Sequence, residues 1–442
     1  MSLIGRLTEP KRPLADRQKV FTDAMLKAMI IPLVTEQLLQ MIVGLADTMI
    51  YTIFIYLFTA ISAGGSVVVA QYIGSRNREN GNLAASQIFH LAGMVSLVCM
   101  ALMLLWGSAL LEVMYPTTES ATMAACKTYM GIVALSFPAN AVYNAGAAVY
   151  RTMGKTSVTM RVSLLANLVN VVGNAVGIFV LHAGAAGVAW PTTLSWYIAA
   201  GVMTALCFRK EQEVRVELPN MLRLDPAMSR RILGVAIPNS VENTLFQAAK
   251  VVLGILVATF GTSQIAANST GQTFWSLAAC MGTSMSTVFI TVIGQCTGAG
   301  DMEAAEWYMR KLTRLSIVLA VLWNAAVMAL TPLLLPLYDL GADTKRLILI
   351  IVAIHNLFSA TVQPFAMPLS AGLRAAGDVK FTMWASIFCT VLCRTFLSFL
   401  LAKWLGLGVI GIALAMAMDW CIKAALDIAR FRSGKWKNRQ VI

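Results

Sequence analysis

Residues 28–70 read AMIIPLVTEQLLQMIVGLADTMIYTIFIYLFTAISAGGSVVVA, a run of 43 residues in which only Glu36 and Asp47 are charged. One helix of that length would extend about 65 Å, roughly twice the hydrocarbon thickness of a bilayer. The run must therefore turn back on itself, and its least apolar place is Ala46-Asp47-Thr48. We predict two membrane-spanning helices joined by a tight turn at that point, and with them a fold formed inside a membrane.

The composition of the whole chain also indicates a membrane protein. Of its 442 residues, 58% are apolar and 12% are charged, whereas a soluble domain carries roughly a quarter charged residues. These values exclude a disordered or fibrous protein and argue strongly against a soluble enzyme. The net charge of +13 comes from short basic clusters between apolar runs, which is typical of membrane proteins rather than of nucleic-acid-binding proteins.

Twelve apolar runs are long enough to cross a bilayer as helices. Each is expected to be helical because backbone amides in lipid must be hydrogen-bonded within the segment. We predict an all-α integral membrane protein of twelve transmembrane helices. The predicted spans are residues 28–48, 51–71, 86–107, 125–148, 162–181, 188–207, 232–259, 268–292, 314–336, 347–370, 381–401 and 409–429.

The basic residues between these spans are concentrated on one side of the predicted membrane. The opposite side holds only Lys127, Lys345, Arg346 and Lys403. By the positive-inside rule, both termini are predicted to be cytoplasmic, in a multi-pass protein of the plasma membrane. The polar N-terminal leader lacks the apolar core of a signal peptide.

The chain contains an internal repeat. Ile31-Pro-Leu-Val-Thr-Glu36 recurs as Ile237-Pro-Asn-Ser-Val-Glu242, and Arg151-Thr-Met-Gly154 recurs as Arg374-Ala-Ala-Gly377. The offset is 206 residues at the first pair and 223 or 224 at the later ones, so the first hairpin of the first half is 18 residues shorter. This hairpin is either abnormally tight or reduced by a deletion.

A duplication of this kind predicts two parallel, pseudo-symmetric halves of six helices each. We predict a cytoplasmic leader at residues 1–22, an N-lobe at 23–207, a cytoplasmic linker at 208–231, a C-lobe at 232–429 and a basic tail at 430–442.

Several motifs resemble those of the MATE (multidrug and toxic compound extrusion) transporters. They are Ile31-Pro32 followed by Gly44-Leu-Ala-Asp47-Thr, Ala70-Gln-Tyr-Ile-Gly74, the turn from Arg151 to Thr156, the segment Asn167 to Asn174, and the segment Ile237 to Gln247. The resemblance covers about residues 20 to 430. It implies two six-helix lobes around a central cavity, and export of amphipathic, often cationic drugs or metabolites in exchange for H+ or Na+.

Two other functions stay open at this point. A lipid-linked saccharide flippase of the same superfamily would need a cavity rich in Arg and Lys to hold pyrophosphate. Few cations are embedded in the spans, Lys250 and Arg394 being the main ones, so drug export is favoured. A non-transporting or decayed membrane paralogue is suggested only by the 18-residue shortfall.

Charged residues inside apolar spans are costly, so each is a candidate functional residue. The resemblance makes Asp47 the ion-coupling carboxylate of the N-lobe; the residues alone also allow a carboxylate in a solvated turn. Glu242 is the second ion-coupling candidate, and its repeat equivalent Glu36 is a candidate for substrate contact. Each glutamate could instead bind backbone amides or a basic side chain such as Lys250, eight residues after Glu242.

Uncharged polar residues supply the remaining cavity candidates. Asn167, Asn170 and Asn174 are spaced three and four apart, so they share one face of a helix. They either line a cavity or hydrogen-bond a neighbouring helix. Gln247 is a further embedded polar group that we place among the cavity residues.

Prolines and the remaining embedded charges complete the set. Pro32 and Pro238 interrupt helical hydrogen bonding inside spans, and we predict that they act as hinges, although a static kink would give the same pattern. Arg394 and Asp419 are expected to form interhelical ion pairs, with each other or with other partners.

No catalytic or metal-binding motif is present in the sequence. It has no Walker loop and no H-E-x-x-H, and its eight cysteines lack metal-ligand spacing. We expect a protein that is not an enzyme, with no cofactor other than H+ or Na+ as the coupling ion. The expected partners are small-molecule substrates and the lipid bilayer, with no nucleic acid and a monomeric state.

Overall fold

The computed structural model of the protein describes residues 8–10, 14, 18–43, 49–114, 119–338, 340–439 and 441–442. Its helices, in chain order, are α1 (Asp23–Val43), α2 (Met49–Gly74), α3 (Arg78–Met114), α4 (Ser120–Ala134), α5 (Phe137–Thr152), α6 (Thr156–Ala175), α7 (Gly184–Cys207), α8 (Leu218–Leu222), α9 (Pro226–Ala258), α10 (Thr262–Gly298), α11 (Met302–Leu334), α12 (Ala342–Thr361), α13 (Gln363–Ala366), α14 (Pro368–Ala375), α15 (Val379–Ile387), α16 (Thr395–Ser398) and α17 (Gly408–Arg432). Wider, π-helical turns extend the sixth, fifteenth and sixteenth helices at Val176–Val180, Phe388–Arg394 and Phe399–Trp404.

The described helices account for the twelve predicted spans. Within the described residues, nine segments are long and apolar enough to cross a membrane, and the bent pair α4–α5 makes a tenth. Helices α1 and α7, with 21 and 24 residues, have the length that a further two passes require. The predicted all-α membrane fold is confirmed. The predicted turn at residues 46–48 lies outside the described residues.

Two predicted spans, 125–148 and 347–370, are broken rather than continuous. Helices α4 and α5 meet at a bend of 46°, and Pro138 occupies the first turn of α5. Pro364 and Pro368 likewise stand in the first turns of α13 and α14. In the first turn the missing N–H of proline has no intrahelical acceptor to lose, so these prolines begin new helices instead of kinking old ones.

The internal repeat is visible in the backbone dihedral angles. Left-handed φ values occur in pairs 223 or 224 residues apart: Arg76 and Gly300, Gly154 and Gly377, His182 and Gly406, Gly184 and Gly408. Equivalent turns therefore follow the same backbone path in both halves. A residue with a Cβ atom costs roughly 1 kcal/mol in this conformation, which explains why glycine occupies most of these positions.

Two repeated glycines allow helices to approach backbone to backbone. A Cβ atom on Gly187 would lie 2.6 Å from the carbonyl oxygen of Gly177. A Cβ atom on Gly411 would lie 2.7 Å from the amide nitrogen of Ala402. Only glycine fits such contacts. Gly187 therefore lets α7 pack directly against the π-helical turn after α6, and Gly411 lets α17 pack against the π-helical turn after α16.

The chain divides into two compact units, which we call the N-unit (residues 31–240) and the C-unit (residues 1–30 and 241–442). Within the N-unit, the linker packs against the start of α3. Arg78 donates from Nη2 to the carbonyl oxygen of Gln212 at 2.8 Å. The linker is thereby held on this unit.

The end of the leader packs within the C-unit. The backbone N–H of Phe21 donates to the hydroxyl of Tyr308 at 2.9 Å, and that hydroxyl donates to the Phe21 carbonyl at 3.1 Å. Lys311 Nζ lies 2.6 Å from a carboxylate oxygen of Asp23 at the start of α1. Residues 21 to 23 are therefore held on α11 by reciprocal hydrogen bonds and an ion pair.

Candidate functional site

Glu36 lies on α1, one turn after Pro32, and its side chain is almost fully buried in the N-unit. Its Oε1 accepts hydrogen bonds from Arg151 Nη2 at 2.6 Å and from the Tyr143 hydroxyl at 3.0 Å. Its Oε2 accepts from the Thr159 hydroxyl at 3.0 Å. A buried carboxylate needs both a counter-charge and hydrogen-bond donors, and α5 and α6 provide them here.

Glu242 occupies the corresponding place on α9 in the C-unit. Its Oε2 accepts a hydrogen bond from Arg374 Nη2 at 2.7 Å, and Lys423 Nζ lies 3.4 Å from Oε1. The side chain is 17% exposed, against 1% for Glu36. The basic partners of Glu242 are therefore Arg374 and Lys423, and not Lys250, which the sequence suggested.

The pairs Glu36–Arg151 and Glu242–Arg374 form two acid–arginine clamps related by the internal repeat. Each clamp joins the helix that carries Pro32 or Pro238 to the residues just before a left-handed glycine turn. Each of the two carboxylates therefore has an arginine counter-charge in the structure. The sequence analysis used both arginines only as evidence for the repeat. Each half of the repeat contains one of these glutamates and one of these arginines, and that recurrence could have predicted the two ion pairs.

Four other candidates from the sequence are Asp47, Gln247 and the two predicted hinge prolines. Asp47 lies outside the described residues. Gln247 lies on α9, and its Oε1 is buried with no hydrogen-bond donor among the residues that the structure describes. Pro32 and Pro238 lie inside α1 and α9, two and three residues respectively from the points that divide the two units.

The three asparagines of α6 do form one polar stripe. Asn174 Nδ2 donates to Asn170 Oδ1 at 3.1 Å, and Asn170 Nδ2 donates to the Thr192 hydroxyl of α7 at 2.8 Å. The buried Nδ2 of Asn167 has no acceptor within the described ranges. Only Asn170 therefore reaches a neighbouring helix directly, and Asn174 Oδ1, like Asn167 Nδ2, is buried without a hydrogen-bond partner among the described residues.

The predicted ion pair between Arg394 and Asp419 is present. Arg394 Nε donates to Asp419 Oδ2 at 2.6 Å, with both side chains buried. A further buried acid, Asp427, lies on the same helix as Asp419, and neither of its carboxylate oxygens has a hydrogen-bond donor in the described part of the chain. The sequence analysis did not single out Asp427, although the residue lies inside the predicted span 409–429.

The chain is similar to known membrane transporters over almost its whole length. The sequence profile of the MatE family matches residues 42–176 and 238–400. The chain is 24% identical over 440 residues to the probable multidrug resistance protein NorM of Thermotoga maritima, covering 93% of this chain and 92% of that one. It is 25% identical over 436 residues to the uncharacterized transporter YisQ of Bacillus subtilis, covering 92% and 93%.

Solved structures show the same fold. A multidrug resistance MATE family transporter of the MOP superfamily, in an outward-facing conformation, matches with a TM-score of 0.84 at 19% identity, covering 98% of each chain. A MOP superfamily transporter from Pyrococcus furiosus, described as having a binding pocket of reverse polarity, matches with the same TM-score at 18% identity and the same coverage.

Proposed function

This chain belongs to the MatE family, and from that premise we propose that it is a secondary active antiporter that exports amphipathic drugs or metabolites, often cationic, in exchange for H+ or Na+. The observation that carries the proposal is the family match in both halves of the chain, which includes α2 to α6 and most of α9 to α16. The likeness to a probable multidrug resistance protein over 93% of the chain supports it.

The coupling ion is proposed to bind Asp47 in the N-unit, with Glu242 as the competing position in the C-unit. The engagement of Glu242 by two basic side chains favours Asp47, because a carboxylate that already has two counter-charges gains little from binding a further cation. Glu36, Gln247 and the asparagine stripe are proposed to line the substrate path or to support the residues that do.

Pro32 and Pro238 are proposed as hinges. Each proline leaves a helical carbonyl without its i to i+4 partner, which locally weakens the helix. Each also lies within three residues of a point that divides the two compact units. Bending at these places would let a helix change direction without loss of the acid–arginine clamp that follows.

A lipid-linked saccharide flippase is less well supported. Its pyrophosphate would need several free cations, whereas Arg394, Arg374 and Arg151 are each paired with a carboxylate.

Export is tested in a host that lacks its own efflux pumps and in inside-out vesicles with an imposed H+ or Na+ gradient. We expect expression to lower drug susceptibility several-fold and the gradient to drive uptake into the vesicles. Well-inserted protein that changes neither would indicate a non-transporting paralogue.

The protein is a multi-pass membrane protein, and we propose that both termini are cytoplasmic. Single-cysteine variants in a cysteine-free background test this orientation. Cysteines at Arg78, Thr156 and Gly300 should react only with reagent supplied from the cytoplasmic side, because the basic loops remain inside. Cysteines at Glu119 and Asp343 should react with impermeant reagent from outside. The reverse labelling pattern would overturn the orientation.

A further inference from the structure

Lys250 lies in the second half of α9, and its side chain is exposed. Three other basic side chains of the C-unit helices, Arg374, Lys423 and Arg394, each lie within 4 Å of a carboxylate. Lys250 has no carboxylate partner in the portion of the chain that the structure describes; its ammonium lies over aromatic rings instead. It thus contributes a positive charge without a paired acid.

The side chain of Lys250 is not directed toward the nearer end of α9. Lys250 is eight residues from the end of α9 at Ala258, and a lysine near a helix end usually extends toward the water beyond it. Here Nζ lies 4.9 Å from the ring centroid of Phe246, one turn back toward the middle of the helix. The ammonium is therefore directed at aromatic rings of α9 and α10 and away from the nearer end of its helix.

Aromatic rings and an unused donor surround this ammonium. Lys250 Nζ lies 5.3 Å from the ring centroid of Trp275 on α10, and Trp275 packs against Trp420 with centroids 5.9 Å apart. The indole Nε1–H of Trp275 is buried and has no acceptor within the described residues. A buried donor without an acceptor carries a desolvation penalty that a ligand oxygen would relieve.

The neighbouring arginine limits the charge that the ligand can carry. Arg394 lies 5.0 Å from the same Phe246 ring, but its charge is neutralised by Asp419 at 2.6 Å. One free ammonium remains, together with one free indole donor. That combination suits a single carboxylate or sulfonate and does not suit the doubly charged pyrophosphate of a lipid-linked sugar.

We propose that Lys250, Phe246 and Trp275 form a subsite that binds the acidic group of aromatic amphipathic substrates, with the rest of the substrate lying against the aromatic rings. The proposal rests on the proposed export function and names a substrate class for it. The transporter would then accept anionic and zwitterionic amphiphiles in addition to cations.

The test is equilibrium binding to the purified full-length protein in lipid nanodiscs with no ion gradient. Three probes of one shape are compared, namely 2-naphthoate, the neutral 2-naphthylmethanol and the cationic 2-naphthylmethylammonium. We expect wild-type protein to bind 2-naphthoate most tightly, and Lys250→Met to weaken that binding about ten- to hundredfold. Binding of the neutral probe should change little.

Three further variants separate a binding role from a structural one. Lys250→Arg keeps the charge and should retain 2-naphthoate binding within a few-fold. Trp275→Phe keeps the ring and loses the N–H, so it should weaken 2-naphthoate more than the neutral probe. Lys403→Met removes a lysine elsewhere in the C-unit and should leave binding unchanged. Thermal unfolding of every variant checks that it is folded.

Absence of 2-naphthoate binding to wild-type protein, or equal binding by a folded Lys250→Met variant, would overturn the proposal. Because binding is measured without a gradient, the subsite and the export function can fail independently. Lysine-dependent binding without export would overturn the antiporter function alone. Export of other compounds without lysine-dependent binding would overturn the subsite alone.

Discussion

Asp47→Asn is expected to abolish gradient-driven export while leaving expression and membrane insertion intact. Asparagine has nearly the shape of aspartate but cannot change its charge. The carrier would therefore lose the step in which binding of the driving ion favours one conformation over the other. Uptake into inside-out vesicles under an imposed H+ or Na+ gradient measures this directly, and it should fall to the rate of empty vesicles. Substrate binding without a gradient should survive.

The matched control is Asp427→Asn, the same change at a buried carboxylate of the C-unit that has no hydrogen-bond donor among the described residues. We expect this variant to keep gradient-driven uptake. Glu242→Gln serves as a second control, with its thermal stability measured because the change leaves Arg374 and Lys423 without their acid. Normal uptake by Asp47→Asn, together with loss of uptake in either control, would place ion coupling in the C-unit.

Arg151→Met is expected to destabilise the protein by about 3–5 kcal/mol, because it leaves a buried carboxylate without its counter-charge. Glu36 would keep only the hydroxyls of Tyr143 and Thr159. Arg374→Met should have a smaller effect, since Glu242 is 17% exposed and retains Lys423 at 3.4 Å. Thermal unfolding followed by tryptophan fluorescence or by aggregation ranks the two variants.

The double variant Glu36→Gln with Arg151→Met is the control for this prediction. Removing both charges avoids an isolated buried ion, so stability should recover most of the loss. Recovery of stability without recovery of transport would show that the clamp serves conformational change as well as folding. Equal stability of Arg151→Met and wild type would contradict the buried geometry of Glu36.

The spans and the repeat could be predicted because both depend on local information. An apolar run of about 20 residues has few structural options in lipid, and two related halves repeat their motifs at one offset. The Arg394–Asp419 pair was also predictable, because a charge inside an apolar span is costly and an ion pair with an opposite charge lowers that cost. These inferences need only the residue types and their order along the chain.

The partners of Glu36 and Lys250 were not predictable in the same way. Glu36 and Arg151 are 115 residues apart, and only the folded chain brings them together. Lys250 was considered as a partner for Glu242 because both lie on one helix, yet its ammonium lies against the rings of Phe246 and Trp275. The break at Pro138 was not predictable either, because sequence does not distinguish a proline inside a helix from one in its first turn.

The paired left-handed residues have a consequence for the history of the chain. Where the second half has Gly300 and Gly406, the first half has Arg76 and His182 in the same backbone conformation. Side chains have thus diverged since the gene duplicated, whereas the path of the main chain through these turns has not. An ancestral half with glycine at both positions could have acquired arginine and histidine later at a cost of roughly 1 kcal/mol each. Torsion angles therefore preserve a common ancestry that residue identity no longer records at these positions.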